Sequence, residues 1–269
     1  MLQVDKAPLL NKTRTILMAK REVDPRTMVF PGLNQTDSFL QNRSRMKKIV
    51  LLRHGQSELN AVWKEKAIFC GQIDTPLTNE GREQARNAGR LLADSSEFSF
   101  SHAVSSTLNR AVETLVLILQ EFQTRPTLIA PVDAFNERSL GVFEGRTKQE
   151  VYSEHPAYRD DPSLRNFRDD YHQRAPGGEN LTEVTLRAWP ALEALLVAAT
   201  GDLLVVAHCQ VIRCLIAQAL ELDHQLATRL QIPHAVPLVL DVVSGSEPER
   251  QKFQSSRTFP AIIESLPEI

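Results

Sequence analysis

Two short apolar runs in the sequence end in a histidine. The first, IVLL at 49–52, leads into Arg53 and His54, and the second, LLVVA at 203–207, ends at His208. Unbroken apolar runs of this length are typical of strands buried on both faces of a parallel sheet. Ligands bind at the carboxyl ends of such strands, so we expect the two imidazoles to meet at one crevice if the strands are neighbours.

Arginines accompany both histidines. Arg53 precedes the first, Arg213 lies five residues after the second, and Arg110 follows "SSTLN" at the start of a predicted helix. Guanidinium groups match phosphate oxygens with two parallel hydrogen bonds. Histidines among arginines therefore predict phosphoryl transfer, in which an imidazole attacks phosphorus while the cations hold the charge on the equatorial oxygens.

The leaving oxygen of such a reaction needs a proton. Glu137, in "NERSLGVFEG", lies between a predicted strand and a glycine-containing turn, and it is our candidate for the general acid. The alternative is a simple ion pair with Arg138. We expect the nucleophile His54 to be neutral, with a backbone carbonyl of the following loop fixing its tautomer, whereas His208 would be more useful protonated.

Strand and helix patterns alternate from Met46 onwards. Helical spacing covers 75–93, 107–122, 181–199 and 211–222, and strand patterns cover 100–106, 126–132 and 235–243. Pro190 inside the third helix predicts a kink or a late start there. The alternation predicts an α/β fold with three α/β/α layers and a mostly parallel central sheet.

The chain divides into three predicted parts. Residues 1–45 lack periodicity and are expected to be a partly disordered extension, 46–243 the folded domain, and 244–269 a polar tail. Within the domain, the polar, proline-interrupted stretch 147–180 is expected to cover the site as a helical insertion.

Composition is that of an ordinary globular protein, with 42% apolar and 24% charged residues and a net charge of -2. No apolar run approaches the roughly 18 residues of a membrane helix, so we expect a cytoplasmic protein with no membrane contact.

Residues 1–48 hold ten Lys and Arg against four Asp and Glu. This basic segment could bind nucleic acid, but we expect it to be a solvated, partly disordered leader.

Three cysteines, Cys70, Cys209 and Cys214, show no CxxC spacing, and we expect them to be small buried hydrophobes. Cys209 is nevertheless a candidate site residue, because it directly follows His208. A metal hydrolase using His54, His208 and Cys209 is a further alternative.

Six segments together resemble the histidine phosphatase superfamily, the phosphoglycerate mutase-like proteins. They are "LLRHGQSELN", "IDTPLTNEGREQA", "SSTLNRAVET", "NERSLGVFEG", "APGGENL" and "VVAHCQVIR", which follow in that family's order and spacing between residues 47 and 243. The resemblance implies that His54 becomes phosphohistidine, that Arg53, Arg110 and His208 complete the phosphate pocket, and that Glu137 donates the proton and later activates water. It also implies that neither a metal nor another cofactor is used.

Other positions are implied to line the phosphate or substrate side. Lys148 matches a mutase lysine, while Tyr171 and Arg174 match the bisphosphatase half of the bifunctional fructose-2,6-bisphosphate enzymes. The full set is Gln56, Ser57, Asn60, Gly71, Lys148, Tyr171, Arg174, Cys209 and Arg213. The histidines outside the motifs, His102, His155, His172, His224 and His234, are expected at the surface or in packing.

We favour a phosphomonoesterase acting on a small phosphorylated metabolite, such as a sugar phosphate or a phosphoglycerate-like compound. A bisphosphoglycerate-dependent mutase is the alternative, supported by "FCGQIDTPLT" and "IPHAVPLVL". Against it, Ser139-Leu140 stands where mutases carry His-Tyr, and Arg168-Asp169 where they carry Arg-Arg. An inactive phosphatase-like binding protein is the alternative of another class, and the oligomeric state, monomer or homodimer, is open.

Overall fold

A six-stranded sheet runs through the computed structural model, which describes residues 46–244 and 251–255. Its order is β3-β2-β4-β1-β5-β6, with β1 to β4 parallel and β5 and β6 antiparallel to their neighbours. The strands are β1 Lys48–Arg53, β2 Phe100–Ser105, β3 Thr127–Leu128, β4 Asp202–Ala207, β5 Pro237–Ser244 and β6 Gln251–Ser255. The mostly parallel α/β fold is confirmed.

Helices cover both faces of this sheet. The α-helices of the described residues are α1 Glu58–Lys66, α2 Asn79–Asp94, α3 Asn109–Gln120, α4 Lys148–Glu154, α5 Ala157–Asp160, α6 Leu181–Ala198, α7 Cys209–Leu220 and α8 His224–Arg229. Alternate residues of β1 point to opposite faces. Ile49 and Leu51 pack in one cluster with residues of α6 and α7, and Val50 and Leu52 in another with residues of α2 and α3. The predicted three layers follow from this alternation.

Helix α6 begins at Leu181 and continues through Pro190 to Ala198, so a late start is wrong. Asn180 caps it, because its side chain accepts a hydrogen bond from the Glu183 amide while the Glu183 carboxylate accepts one from the Asn180 amide. This capping box fixes the beginning of the helix about two and a half turns before the proline.

The insertion 147–180 folds into α4, α5 and a 3₁₀ helix at Phe167–Asp169. It packs on an apolar cluster of its own, distinct from the two clusters at the sheet. Phe143 and Phe167 are fully buried in it, with ring centroids 5.6 Å apart, and Phe69 and Val151 lie beside them. The covering segment therefore has its own small core.

The segments on either side of the predicted domain, 1–45 and 244–269, are described by the structure only in part. Within the predicted tail, residues Gln251–Ser255 form β6 and pair with β5, so this part of 244–269 belongs to the sheet. The extension 1–45 lies outside the described residues. Along residues 46–244 and 251–255, no helix has the length and apolar composition needed to cross a bilayer.

The loop after β1 touches the start of α2 backbone to backbone. A Cβ placed on Gly81 would lie 2.0 Å from the Gln56 carbonyl oxygen, and one on Gly55 would lie 2.3 Å from the Gly81 oxygen. Thr78 caps α2 and also donates to Gln56. Neither glycine can carry a side chain without moving the loop that follows the first site histidine.

We expect Gly81→Ala to lower the free energy of unfolding by roughly 2 kcal/mol, because the clash outweighs the gain in helix propensity. Urea unfolding measures this change. The control is Asn87→Ala on the exposed side of the same helix, which should stay within about 0.5 kcal/mol of wild type. An unchanged or more stable Gly81→Ala protein would contradict the close contact.

Candidate active site

The pairing of β1 with β4 brings His54 and His208 together. Arg53 is in register with Ala207, so each histidine is the first residue beyond its strand. The His54 amide donates to the Ala207 carbonyl at 3.1 Å, and the two imidazole centroids are 5.0 Å apart. The expected meeting of the two imidazoles is confirmed.

His54 is held in one tautomer by the loop that follows it. Its Nδ1 lies 2.7 Å from the Gly55 carbonyl oxygen, which can only accept, so the hydrogen is on Nδ1. Nε2 then carries the lone pair, as a nucleophile requires. The predicted backbone carbonyl is thus found one residue along the chain.

Arg110 is fixed beside this lone pair. Its Nη1 donates to the Ile73 carbonyl at 2.7 Å and its Nη2 to the Gly71 carbonyl at 3.0 Å, while Nε donates to His54 Nε2 at 3.3 Å. Gly71 has a φ of +50°, and a Cβ there would lie 2.3 Å from a Glu144 carboxylate oxygen. A glycine is needed to present this carbonyl to the guanidinium.

His208 is fully buried, and its Nε2 lies 2.6 Å from the Ser106 hydroxyl. Burial holds its pKa well below the ordinary value of 6.5, with Arg110 and Arg53 adding to the effect. A protonated His208 would be more useful to a phosphoryl group, but burial and three arginines, counting Arg187, favour the neutral ring. Burial, His208 and the arginines likewise lower the pKa of His54.

Glu137 enters the cavity from a loop that is tied down on both sides. Its carboxylate accepts from the Arg138 amide at 2.8 Å, and its carbonyl accepts from Gln72 at 2.8 Å and from Arg187 Nη2 at 3.2 Å. The Arg138 guanidinium donates instead to the Phe167 carbonyl at 2.8 Å. Glu137 is therefore available to a substrate, as a general acid must be.

A cavity of about 410 Å³ joins these residues. Of the predicted positions, those that line it are Arg53, His54, Ser57, Asn60, Gly71, Arg110, Glu137, Cys209 and Arg213. Lining residues that sequence reasoning missed include Arg138, Arg168, Asp169, Gln210 and His234. His208 lies behind His54, outside the lining.

Four predicted substrate residues do not line this cavity in the described part of the chain. Tyr171 is buried in the core, with its ring stacked 3.6 Å from that of His224, and Arg174 pairs with Glu183 on the surface. Gln56 accepts from Thr78, and Lys148 lies 5.3 Å from the centre of the Tyr152 ring. These four therefore lie outside the lining of this cavity and are engaged by other contacts, and their role on the substrate side stays a prediction.

A polar network in the cavity lining joins the insertion to α7. Asp169 accepts from Arg213 and from Gln210, both at 3.0 Å, and Arg213 also donates to the Leu230 carbonyl at 2.9 Å. The Asp169 side chain is 51% exposed and that of Arg213 is 13% exposed. A second carboxylate besides Glu137 thus lines the cavity, paired with an arginine.

An imidazole lone pair beside fixed guanidinium groups, with a carboxyl group in the same cavity, defines a phosphoryl-transfer site. The chain belongs to the histidine phosphatase superfamily (branch 1), whose family model matches residues 49–250. Members of this superfamily are phosphatases or mutases that act through a phosphohistidine.

Relatives include 2,3-bisphosphoglycerate-dependent phosphoglycerate mutases. One from Methylobacterium radiotolerans is 36% identical over 71% of this chain and 87% of its own, and one from Gloeobacter violaceus is 31% identical over 73% and 86%. Among solved structures, the native mycobacterial glucosyl-3-phosphoglycerate phosphatase is 27% identical, with a TM-score of 0.63 over 78% of this chain and 97% of that one. Both branches of chemistry are therefore represented among its relatives.

Acid should destabilise the fold through the buried histidines. Their folded pKa lies below the unfolded value near 6.5, so the unfolded chain binds more protons as pH falls below 6.5. Below pH ~6 the free energy of unfolding of wild type should fall with pH. In His208→Gln this fall should be less steep by about 1.4 kcal/mol per pH unit, because one histidine no longer contributes. Urea unfolding across this range measures the slope; the exposed His172→Gln protein should keep the wild-type slope, and an identical slope in His208→Gln would contradict the buried neutral ring.

Proposed function

We propose that the protein is a phosphomonoesterase that acts on a small phosphorylated metabolite. His54 Nε2 forms a bond to phosphorus as the ester P–O bond breaks, and Glu137 gives its proton to the leaving oxygen. Water then adds to phosphorus as the N–P bond breaks, Glu137 takes the proton of that water, and inorganic phosphate leaves. Arg53 and Arg110 hold the charge of the equatorial oxygens.

The observation that carries this proposal is the carboxylate of Asp169, which lines the cavity and pairs with Arg213. A mutase must retain a molecule with two phosphate groups, and its second phosphate needs cations of its own. Here Asp169 already neutralises Arg213 and would repel a second phosphate. Leu140, which lines the same cavity, cannot supply a hydrogen bond from its side chain.

The mutase remains the second candidate because the relatives at 31% and 36% identity bear that name. The two reactions differ in their products. A mutase converts 3-phosphoglycerate to 2-phosphoglycerate in the presence of 2,3-bisphosphoglycerate, whereas a phosphatase releases inorganic phosphate.

The first experiment is an assay of wild type and His54→Ala on p-nitrophenyl phosphate, sugar phosphates and 3-phosphoglycerate, with and without EDTA. We expect wild type to release phosphate, unaffected by EDTA, and to form an acid-labile, base-stable phosphoenzyme. His54→Ala should lose both, and the exposed His172→Ala should retain both. Isomerisation of phosphoglycerate in excess of phosphate release would favour the mutase, and binding of phosphate without turnover or labelling would favour a binding protein.

The loop that carries Glu137 is clamped by an ion pair, and this pair should matter for leaving-group protonation. Arg187 donates to the carbonyls of Ala134 and Glu137 and binds Glu179, whose carboxylate accepts from the Ser139 amide. Loss of the clamp should therefore misplace the proton donor without disturbing His54.

We expect Arg187→Gln to lower kcat/KM for glycerol phosphate, a poor leaving group, by roughly 10- to 100-fold. The p-nitrophenolate group of p-nitrophenyl phosphate leaves without being protonated, so for this substrate the loss should be under about threefold. Arg90→Gln, which removes a surface arginine paired with Glu83, is the control. Equal losses on both substrates would mean that Arg187 serves the fold alone.

A further inference from the structure

A third histidine, His234, lies at the same site on the loop that precedes β5. This loop is tied to the end of β1, because Arg53 Nη1 donates to the Ile232 carbonyl and the Ala235 amide donates to the Arg53 carbonyl, both at 2.9 Å. Ala235 adopts a φ of +52°, an unusual conformation for a residue with a side chain. The position of His234 is therefore set by the residues next to the nucleophile.

The hydrogen bond of His234 defines which of its nitrogens is free. Nδ1 lies 3.0 Å from the His54 carbonyl oxygen, an acceptor, so Nδ1 carries the hydrogen and Nε2 the lone pair. The His234 ring is 5.5 Å from that of His54, close to the 5.0 Å of His208. His234 lines the cavity, whereas His208 is fully buried.

Charged groups around His234 favour its neutral form. Burial and the neighbouring Arg53 lower the pKa of His234 to about 4, although the hydrogen bond to His54 opposes this. Near neutral pH, Nε2 is therefore a hydrogen-bond acceptor at the mouth of a pocket built from arginines.

We propose that His234 is a further contact residue of the phosphate pocket: its Nδ1–H holds the main chain of the nucleophile, and its Nε2 meets the phosphoryl group. A neutral Nε2 accepts a hydrogen bond from the protonated oxygen of a phosphate monoanion. His234 makes and breaks no bond to phosphorus, and the proton stays within this hydrogen bond. The inference rests on the proposed phosphoryl transfer at His54.

Two substitutions separate the two nitrogens. In His234→Asn, the amide nitrogen can replace Nδ1 and keep the hydrogen bond to His54, but nothing replaces Nε2. In His234→Gln, the longer amide can reach the position of Nε2 but leaves the His54 carbonyl without its donor. The exposed His172→Asn protein is the control.

Binding of inorganic phosphate at pH 6, measured by calorimetry, tests the contact without turnover. We expect His234→Asn to bind phosphate roughly tenfold more weakly than wild type, and His234→Gln to stay within about threefold. On p-nitrophenyl phosphate, His234→Gln should instead lose kcat, because the His54 carbonyl has lost the donor that helps to position the nucleophile.

Unchanged phosphate affinity in His234→Asn would overturn the contact, and equal losses in both variants would reduce His234 to a structural role. Failure of the proposed function looks different. In that case wild type would bind phosphate but neither turn over esters nor become labelled, and the effect of His234 on phosphate affinity would still be measurable.

Discussion

Parallel pairing of β1 with β4 is the constraint on which the site depends. Both strands are buried on both faces, so neither can slip in register without exposing apolar side chains. Their register places His54 and His208 one residue beyond the paired ends, and the His54 amide completes the ladder on Ala207. The proposed nucleophile thus lies at the residue that makes the last hydrogen bond between these two strands.

Electrostatics around this point rest on cations fixed by neutral partners. Arg110 is held by the carbonyls of Gly71 and Ile73, and Arg53 by that of Ile232. Since carbonyls satisfy the guanidinium donors without cancelling their charge, the site keeps a positive potential that opposes protonation of the imidazoles. The same arrangement keeps the His54 imidazole neutral, with a lone pair on Nε2 that accepts from Arg110, and provides a surface suited to an anion.

Sequence patterns predicted the parallel strands, the meeting of His54 with His208 and the carbonyl that fixes the tautomer, because these follow from period, register and neighbouring residues. His234 was missed because the rule for parallel strands looks at carboxyl ends, whereas β5 is antiparallel and begins at the site edge. The contacts of Tyr171 and Arg174 could not be predicted, because a motif position does not say which way a side chain in an irregular insertion turns. The pairing of β6 was not visible in a polar segment with weak alternation.

Most apolar residues of the insertion pack in a cluster apart from those at the sheet, Tyr171 excepted, and this division bears on how the family could diversify. Phe143, Val151 and Phe167 pack with each other rather than with the clusters at β1 and β4. Replacement of residues in this small core would reshape the part of the cavity lining that includes Leu140 and Asp169, while the strand register next to His54 stayed intact. Selection for new substrates can therefore act on one packing unit without retuning the transfer chemistry carried by the other.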